Sequence, residues 1–313
     1  MNRRDFLRSL GGVAAVSALP SFADDPSAFP KRGAFERLVL AYNRIHIGLE
    51  KPFSVLHISD THLTEAYPNE DGKKQKLKQV RTQTFGGRQE QALRDSLAWA
   101  KKNVDYVIHT GDLIDWQSEA NFDLVRKYFG DAMFGSIGNH EYSKYMWLEK
   151  AETTEAYKAL TAPLVQKAYP FDIRFASQTV NGVNFVSLDS VYGTVVPEQV
   201  ERFREEVKKG LPIVLCMHVP FYTDRIWQAM KKFWSSDSKF ASAKIPDAAG
   251  DCLAQRSDKT TQDFIAMLKR EPMLKGILAG HLHFTVQDRF SPTAMEYVVG
   301  GNFMFHGEEM LFT

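Results

Sequence analysis

Five short runs of the chain carry side chains able to ligate hard or borderline cations: Asp60-Thr61-His62, Gly111-Asp112-Leu113-Ile114-Asp115, Gly138-Asn139-His140-Glu141, His218-Val219-Pro220 and Gly280-His281-Leu282-His283. Carboxylate, imidazole and amide oxygen together suit Mn, Fe, Zn or Co, and a set without cysteine is not that of a structural zinc knuckle. The chemistry to expect is that of an open, catalytic site. A cation held by such ligands would attract an anion and offset charge developing on it. Any one of these runs is a weak signal, since Gly-Asp-x-x-Asp is a common turn and His-x-His a common surface or core pair. Five in one chain are far more specific.

Each run follows an apolar stretch: residues 53–60, 105–112, 133–138, 212–218 and 276–280 read as strands. Amphipathic segments separate them, clearest at 88–102 and 197–209, the second opening on Pro197 and closing at Gly210. That alternation predicts strands joined by helical crossovers, and an open α/β sheet binds ligands beyond the carboxyl ends of its strands. Side chains two apart on a strand share a face, so Asp60 with His62, and His281 with His283, are expected to project together by strand alternation. Asn181-Gly182 between two β-rich runs predicts a tight hairpin, which makes the sheet mixed. Residues 66–87 and 235–258 read as long loops. His57, His109, His46 and His306 read as hydrogen-bonded core or surface residues rather than ligands.

The 313-residue chain is 44% hydrophobic and 25% charged, an ordinary globular composition. Its 39 basic residues barely exceed its 38 acidic ones. That balance argues against nucleic-acid binding. The N-terminus is different: Arg3, Arg4 and Arg8 precede a short apolar run and small residues at 20–23, as in an export signal, and the run is too short to span a membrane. Asn2-Arg3-Arg4-Asp5-Phe6-Leu7-Arg8 resembles the twin-arginine signal, which implies that residues 1–23 engage the twin-arginine export machinery and that residues 24–313, a single domain, reach the periplasm or cell envelope folded. Cys216 and Cys252 could pair there, though an apolar strand and a loop are poor partners, and unpaired cysteines are the expectation.

The five runs, in this order, resemble those of the calcineurin-like metallophosphoesterases. The resemblance implies a two-layer α/β sandwich of mixed sheets flanked by helices, with two metal ions sharing one aspartate. Carried over run by run, Asp60, His62 and His283 would hold one ion, Asn139, His218 and His281 the other, and Asp112 would bridge. It further implies hydrolysis of a phosphate ester by in-line attack of a hydroxide held between the ions. His140 would then be the general acid that protonates the departing oxygen, with Asp115 orienting it and raising its pKa. His140 is expected to leave the chain on the side opposite Asn139, and Glu141 to point elsewhere.

Residues 73–81 read mainly as a solvated basic face, with Arg81 and Arg88 as candidate contacts to an anionic substrate. Tyr67, Phe85, Trp116 and Tyr142 could wall the site, Tyr142 being the candidate substrate contact among them. Asp115 stands where purple acid phosphatases place tyrosine, and Trp116-Gln117 where phosphoprotein phosphatases continue with Arg-Gly. The expected substrate is therefore a phosphodiester or phosphomonoester of the compact bacterial branch. A phosphomonoesterase acting on phosphoproteins or small metabolites, and a non-catalytic metal-dependent phosphate-binding protein, are the alternatives.

Overall fold

The computed structural model describes residues 37–129, 133–146, 154–234, 251–252, 255–256 and 258–313. The export segment expected at 1–23 and most of the loop expected at 235–258 lie outside these residues. In chain order the strands are β1 (Val39–Ile45), β2 (Phe53–Ile58), β3 (Tyr106–Thr110), β4 (Met133–Ser136), β5 (Phe175–Val180), β6 (Val183–Leu188), β7 (Ile213–Cys216), β8 (Asp251–Cys252), β9 (Gln255–Arg256), β10 (Leu274–Ala279), β11 (Val286–Arg289), β12 (Met295–Val298) and β13 (His306–Phe312). The helices are α1 (Gly72–Thr84), α2 (Gln89–Asn103), α3 (Glu119–Tyr128), α4 (Asn139–Tyr142), α5 (Glu155–Gln166), α6 (Pro197–Lys208), α7 (Asp224–Trp234) and α8 (Lys259–Leu268).

Two mixed sheets stack face to face. One has the order β1-β13-β2-β3-β4, the other β11-β12-β10-β7-β6-β5. In the first sheet the antiparallel pairing of β13 with β2 joins the parallel pair β1-β13 to the parallel run β2-β3-β4, and in the second a parallel centre, β12-β10-β7-β6, is bordered by the antiparallel pairs β11 with β12 and β5 with β6. The parallel strands are nearly continuous apolar runs because both their faces are covered; every residue of β2 and of β7 is buried. Between the sheets Val55, Ile108, Phe134 and Met310 meet Phe185, Val214, Cys216 and Leu278. Phe312 stacks on Phe53 at 5.0 Å and meets Phe185 edge-on at 5.5 Å. Burying such a side chain is worth about 1.5–3 kcal/mol. Cys216 is buried and free.

The outer face of the second sheet packs Ile213, Leu215 and Ile277 under Phe203 of α6 and Phe264 of α8, whose rings meet at 5.3 Å. Helix α6 opens with Pro197 at its first turn, where the missing N–H costs nothing, and its chain reverses at Gly210 with φ 68°. The hairpin between β5 and β6 turns at Asn181 (φ 48°) and Gly182 (φ 82°), the two left-handed residues that a right-twisted two-residue loop requires. Residues 66–87 depart from the expected loop: Asp71 caps α1 by accepting from the N–H groups of Lys73 and Lys74, and Leu77 alone of the helix is buried. With no apolar stripe to read, the sequence pattern concealed it. Among the described residues no helix is long and apolar enough to cross a membrane.

Candidate metal centre

All five ligand-type runs begin just past the ends of β2, β3, β4, β7 and β10, so the topology gathers these runs at one edge of the sandwich. Strand alternation is not what aims them. Asp60, His62, Asp112, His281 and His283 all have φ between 53° and 69°, five of the eight non-glycine residues with positive φ among those described. A left-handed residue other than glycine costs about 1–2 kcal/mol. Here the cost is distributed over a braced pair of loops, with Asp60 N–H donating to Gly111 O, His62 N–H to Asp112 O and Leu63 N–H to Leu113 O, each at 2.8–2.9 Å. The backbones also approach too closely for side chains. A Cβ on Gly111 would lie 2.6 Å from Gly138 N and 2.7 Å from His218 Nδ1, and one on Gly280 would lie 1.9 Å from Ser59 Oγ.

The result is a chain of three overlapping donor clusters: Asp60, His62 and His283; His62, Asp112 and His140; and Asp112, His218 and His281. Within each, one donor atom per residue lies within 4.8 Å of the others. Asp112 is shared by the last two clusters, its Oδ2 lying 3.8 Å from His62 Nε2 and 3.2 Å from His218 Nε2. His62 Nε2 and His283 Nε2 face each other at 3.1 Å. The tautomers favour ligation. His62 Nδ1 lies 3.0 Å from Asp115 Oδ1 and His218 Nδ1 2.7 Å from Thr110 O, so each Nδ1 carries a proton and each Nε2 faces the interior, with its lone pair already free on His62 and free on His218 once a second proton has left. Asp60 Oδ1, Asn139 Oδ1, His218 Nε2 and His281 Nε2 are buried without a hydrogen-bond partner. Four orphaned donor atoms in one place are costly unless cations complete them, and the donor set fits divalent ions.

Electrostatics divides the histidines. Burial, reinforced by His140, pushes His62 down to about 4, and burial with His218 nearby pushes His281 down to about 3. For His218 burial is outweighed by the Asp112 and Asp60 carboxylates, which push it up to about 9. Asp60, Asp112 and Asp115 are all held below the usual carboxylate range: burial opposes this, but neighbouring imidazoles outweigh it. His140 is also opposed by burial yet raised by Asp112 and Asp115.

Asn139 opens α4 and His140 is its second residue, so helical geometry rather than the far side of a strand end separates the two. Its N–H donates to Asp112 Oδ1 at 2.9 Å, and its Nδ1 lies 2.9 Å from Asp115 Oδ1. Glu141 turns inward rather than away. Its carboxylate accepts from the N–H groups of Asp112, Leu113, Ile114 and Gly138 at 2.7–3.2 Å and from Tyr169 Oη at 2.9 Å, so it knits the second and third runs together.

The three candidate substrate contacts have other partners. Arg81 holds Asp115 through Nε at 2.6 Å and a second nitrogen at 3.0 Å, Arg88 lies over the Phe305 ring at 5.0 Å, and buried Tyr142 donates to Asp189 Oδ2 at 2.8 Å. Of the other aromatic candidates, Trp116 is fully buried and Tyr67 donates to Asp123 at 2.6 Å, whereas Phe85 stacks on His62 at 4.4 Å. Phe303 and Trp234 flank His283 at 5.3 and 5.8 Å and carried no sequence signal, lying outside the five runs. His57 and His109 are buried and bond Thr110 and Thr61, each at 2.9 Å.

The chain belongs to the calcineurin-like phosphoesterase family, whose model matches residues 53–284. No curated protein matches it. Among solved structures it is similar to a dimetal phosphatase from Danio rerio (15% identity, 82% of this chain and 91% of that one, TM-score 0.45). It is also similar to a purple acid phosphatase from yellow lupin (13%, 80% and 44%, 0.45) and a 5'-nucleotidase from Candida albicans (13%, 85% and 48%, 0.41). It spans about half the length of the last two.

Proposed function

We propose that the protein is a two-metal hydrolase of phosphate monoesters or diesters, exported to the periplasm or cell envelope by the twin-arginine route. The observation that carries the catalytic reading is the convergence of four orphaned buried donor atoms on clusters that share Asp112. Asp60, His62 and His283 would hold one ion, Asn139, His218 and His281 the other, and Asp112 would lie between them. Bound there, the ions would supply Lewis-acid polarisation and neutralise charge on the phosphoryl oxygens. Asn139 offers oxygen without adding negative charge beside an incoming anion.

His140 supplies the proton. Its Nδ1 is committed to Asp115 at 2.9 Å, which leaves Nε2 as the atom that can protonate the departing ester oxygen. Asp112 and Asp115 favour the charged imidazole from two sides, and that matters because a neutral one could not donate from Nε2. Asp115 acts as the positioning residue. A protein that only bound phosphate would need neither.

The test is metal content and turnover of purified protein supplied with defined Mn, Fe, Zn or Co, on nitrophenyl phosphate and bis-nitrophenyl phosphate. Two ions per chain and hydrolysis of at least one ester are expected. Two ions with no hydrolysis would leave a phosphate-binding protein, and fewer than one would remove the metal reading. For export, Arg3→Lys with Arg4→Lys should retain the protein in the cytoplasm, as fractionation would show.

A further inference from the structure

The walls of the centre are not chemically uniform. On the side of His62 and His283 they are aromatic and come from three separate elements. Phe85, just past α1, stacks on His62; Phe303, in the 3-10 turn Asn302–Met304, lies 4.8 Å from Phe85, 5.9 Å from His62 and 5.3 Å from His283; and Trp234 closes α7 at 5.8 Å from His283. Phe233, edge-on to Trp234 at 5.0 Å and tilted against Phe284 at 4.6 Å, is 42% exposed, and Met304, the next residue after Phe303 in the turn, is 39% exposed.

The 3-10 turn inverts the usual order of a surface turn. Its polar residue, Asn302, is fully buried, accepting from Thr61 Oγ1 at 3.1 Å and donating to Ser96 Oγ at 2.9 Å, whereas Phe303 is half-buried and Met304 faces water. A turn bonded inward through its amide presents apolar side chains outward. Phe233, Phe303 and Met304 have no strong hydrogen-bonding group, and the Trp234 indole N–H is committed to Leu282 O at 3.1 Å.

We propose that this aromatic rim seats the organic part of the substrate, and that the substrate class is phosphate esters of apolar alcohols. The inference rests on the phosphoesterase reading. With the phosphoryl group held at the metal ligands, the ester's organic part lies within one residue's length of rings that touch those ligands. A sugar or other polyol placed against these side chains would surrender water without gaining a hydrogen-bond partner from them. An apolar ring or chain would be removed from water against Phe303, Phe233 and Met304, with a gain of about tenfold in affinity for partial burial of a phenyl-sized group.

Calorimetric titration of the Mn-loaded protein with methylphosphonate, phenylphosphonate and octylphosphonate, the last below its micelle concentration, tests this without turnover. The phenyl or octyl compound should bind about tenfold tighter than the methyl one, and whichever gains more identifies a ring or a chain as the natural occupant. In Phe233→Ser and in Met304→Ser that ratio should shrink severalfold. Taking the ratio within one variant cancels changes in metal loading, and the second variant covers a folding failure of the first. Equal binding of all three compounds by the wild type would overturn the inference and leave the phosphoesterase reading standing. An unchanged ratio in both variants would overturn it too. Binding of none would overturn both.

Discussion

Asp60, His62 and His283 on one side of the centre, and Asp112, His218 and His281 on the other, are each one carboxylate with two imidazoles, but their surroundings give them different starting states. On the first side burial holds His62 near 4, so the imidazole is neutral at pH 7, and the His283 side chain remains 20% exposed beside the aromatic rim. On the second side every donor is buried, and the Asp112 and Asp60 carboxylates hold a proton on His218 up to about pH 9. Donor identity therefore does not fix readiness for a cation. The first side presents a lone pair at Nε2 as folded; the second must first release a proton.

Asp112 is where this contrast can be abolished, because its carboxylate faces both sides. Asp112→Asn removes the shared charge and should leave fewer than one ion per chain, with activity lower by about 10³-fold or more. Retention of two ions would mean that the sides are independent. His140→Ala should act on neither side's ligands: metal content stays at two while turnover falls about 10²- to 10³-fold, more for esters of poor leaving groups than for nitrophenyl esters. Equal slowing on both would remove it as the proton donor.

Proton release separates the two sides directly. A metal displacing the His218 proton below about pH 9 loses about tenfold in apparent affinity per unit of falling pH, whereas no such cost is expected from His62 above about pH 4. Titration at pH 6 and pH 8 should give one site whose affinity moves about a hundredfold and one that moves much less, with close to one proton released per ion at the first. The sign carries over to the metal-free protein. The His218 pKa is raised on folding, so its contribution to stability is full below about 6.5 and is lost as pH rises through about 9. Two sites with the same pH slope would erase the distinction.

The donors were legible in the sequence because each group is contiguous: one strand end supplies Asp60 with His62, another His281 with His283. Strands β2, β3, β4, β7 and β10 could be anticipated because buried parallel strands are unbroken apolar runs, whereas the two-sheet arrangement came only with the family resemblance. What escaped has no local pattern. The left-handed backbone at five ligands is set by loops bracing one another, not by the ligand residues themselves. Glu141 looked like an idle neighbour because its partners are backbone N–H groups, which every sequence has. Phe303 and Trp234 reach His283 only through tertiary structure. Helix α1 is polar almost throughout, and its clues were Asp71 at the start and Gly86-Gly87 after the end, with φ 80° and 70°.

Helix α1 also distinguishes the two sides. Arg81 occupies both oxygens of Asp115, and its guanidinium lies 4.8 Å from the Phe85 ring, which covers the face of His62. Asp115 Oδ1 in turn meets His62 Nδ1 at 3.0 Å and His140 Nδ1 at 2.9 Å. One carboxylate oxygen can serve two imidazoles only while the carboxylate is kept from rotating, and the bidentate Arg81 does that. None of these contacts reaches His218 or His281, so Arg81→Ala should loosen the first side alone: its ion is lost preferentially, the second remains, and turnover falls about tenfold. Arg81→Lys keeps the charge but gives up the fork, and should recover metal binding more than turnover. Loss of both ions in Arg81→Ala would show that the two sides are held as one unit through Asp112; loss of neither would reduce α1 to a cover over Phe85.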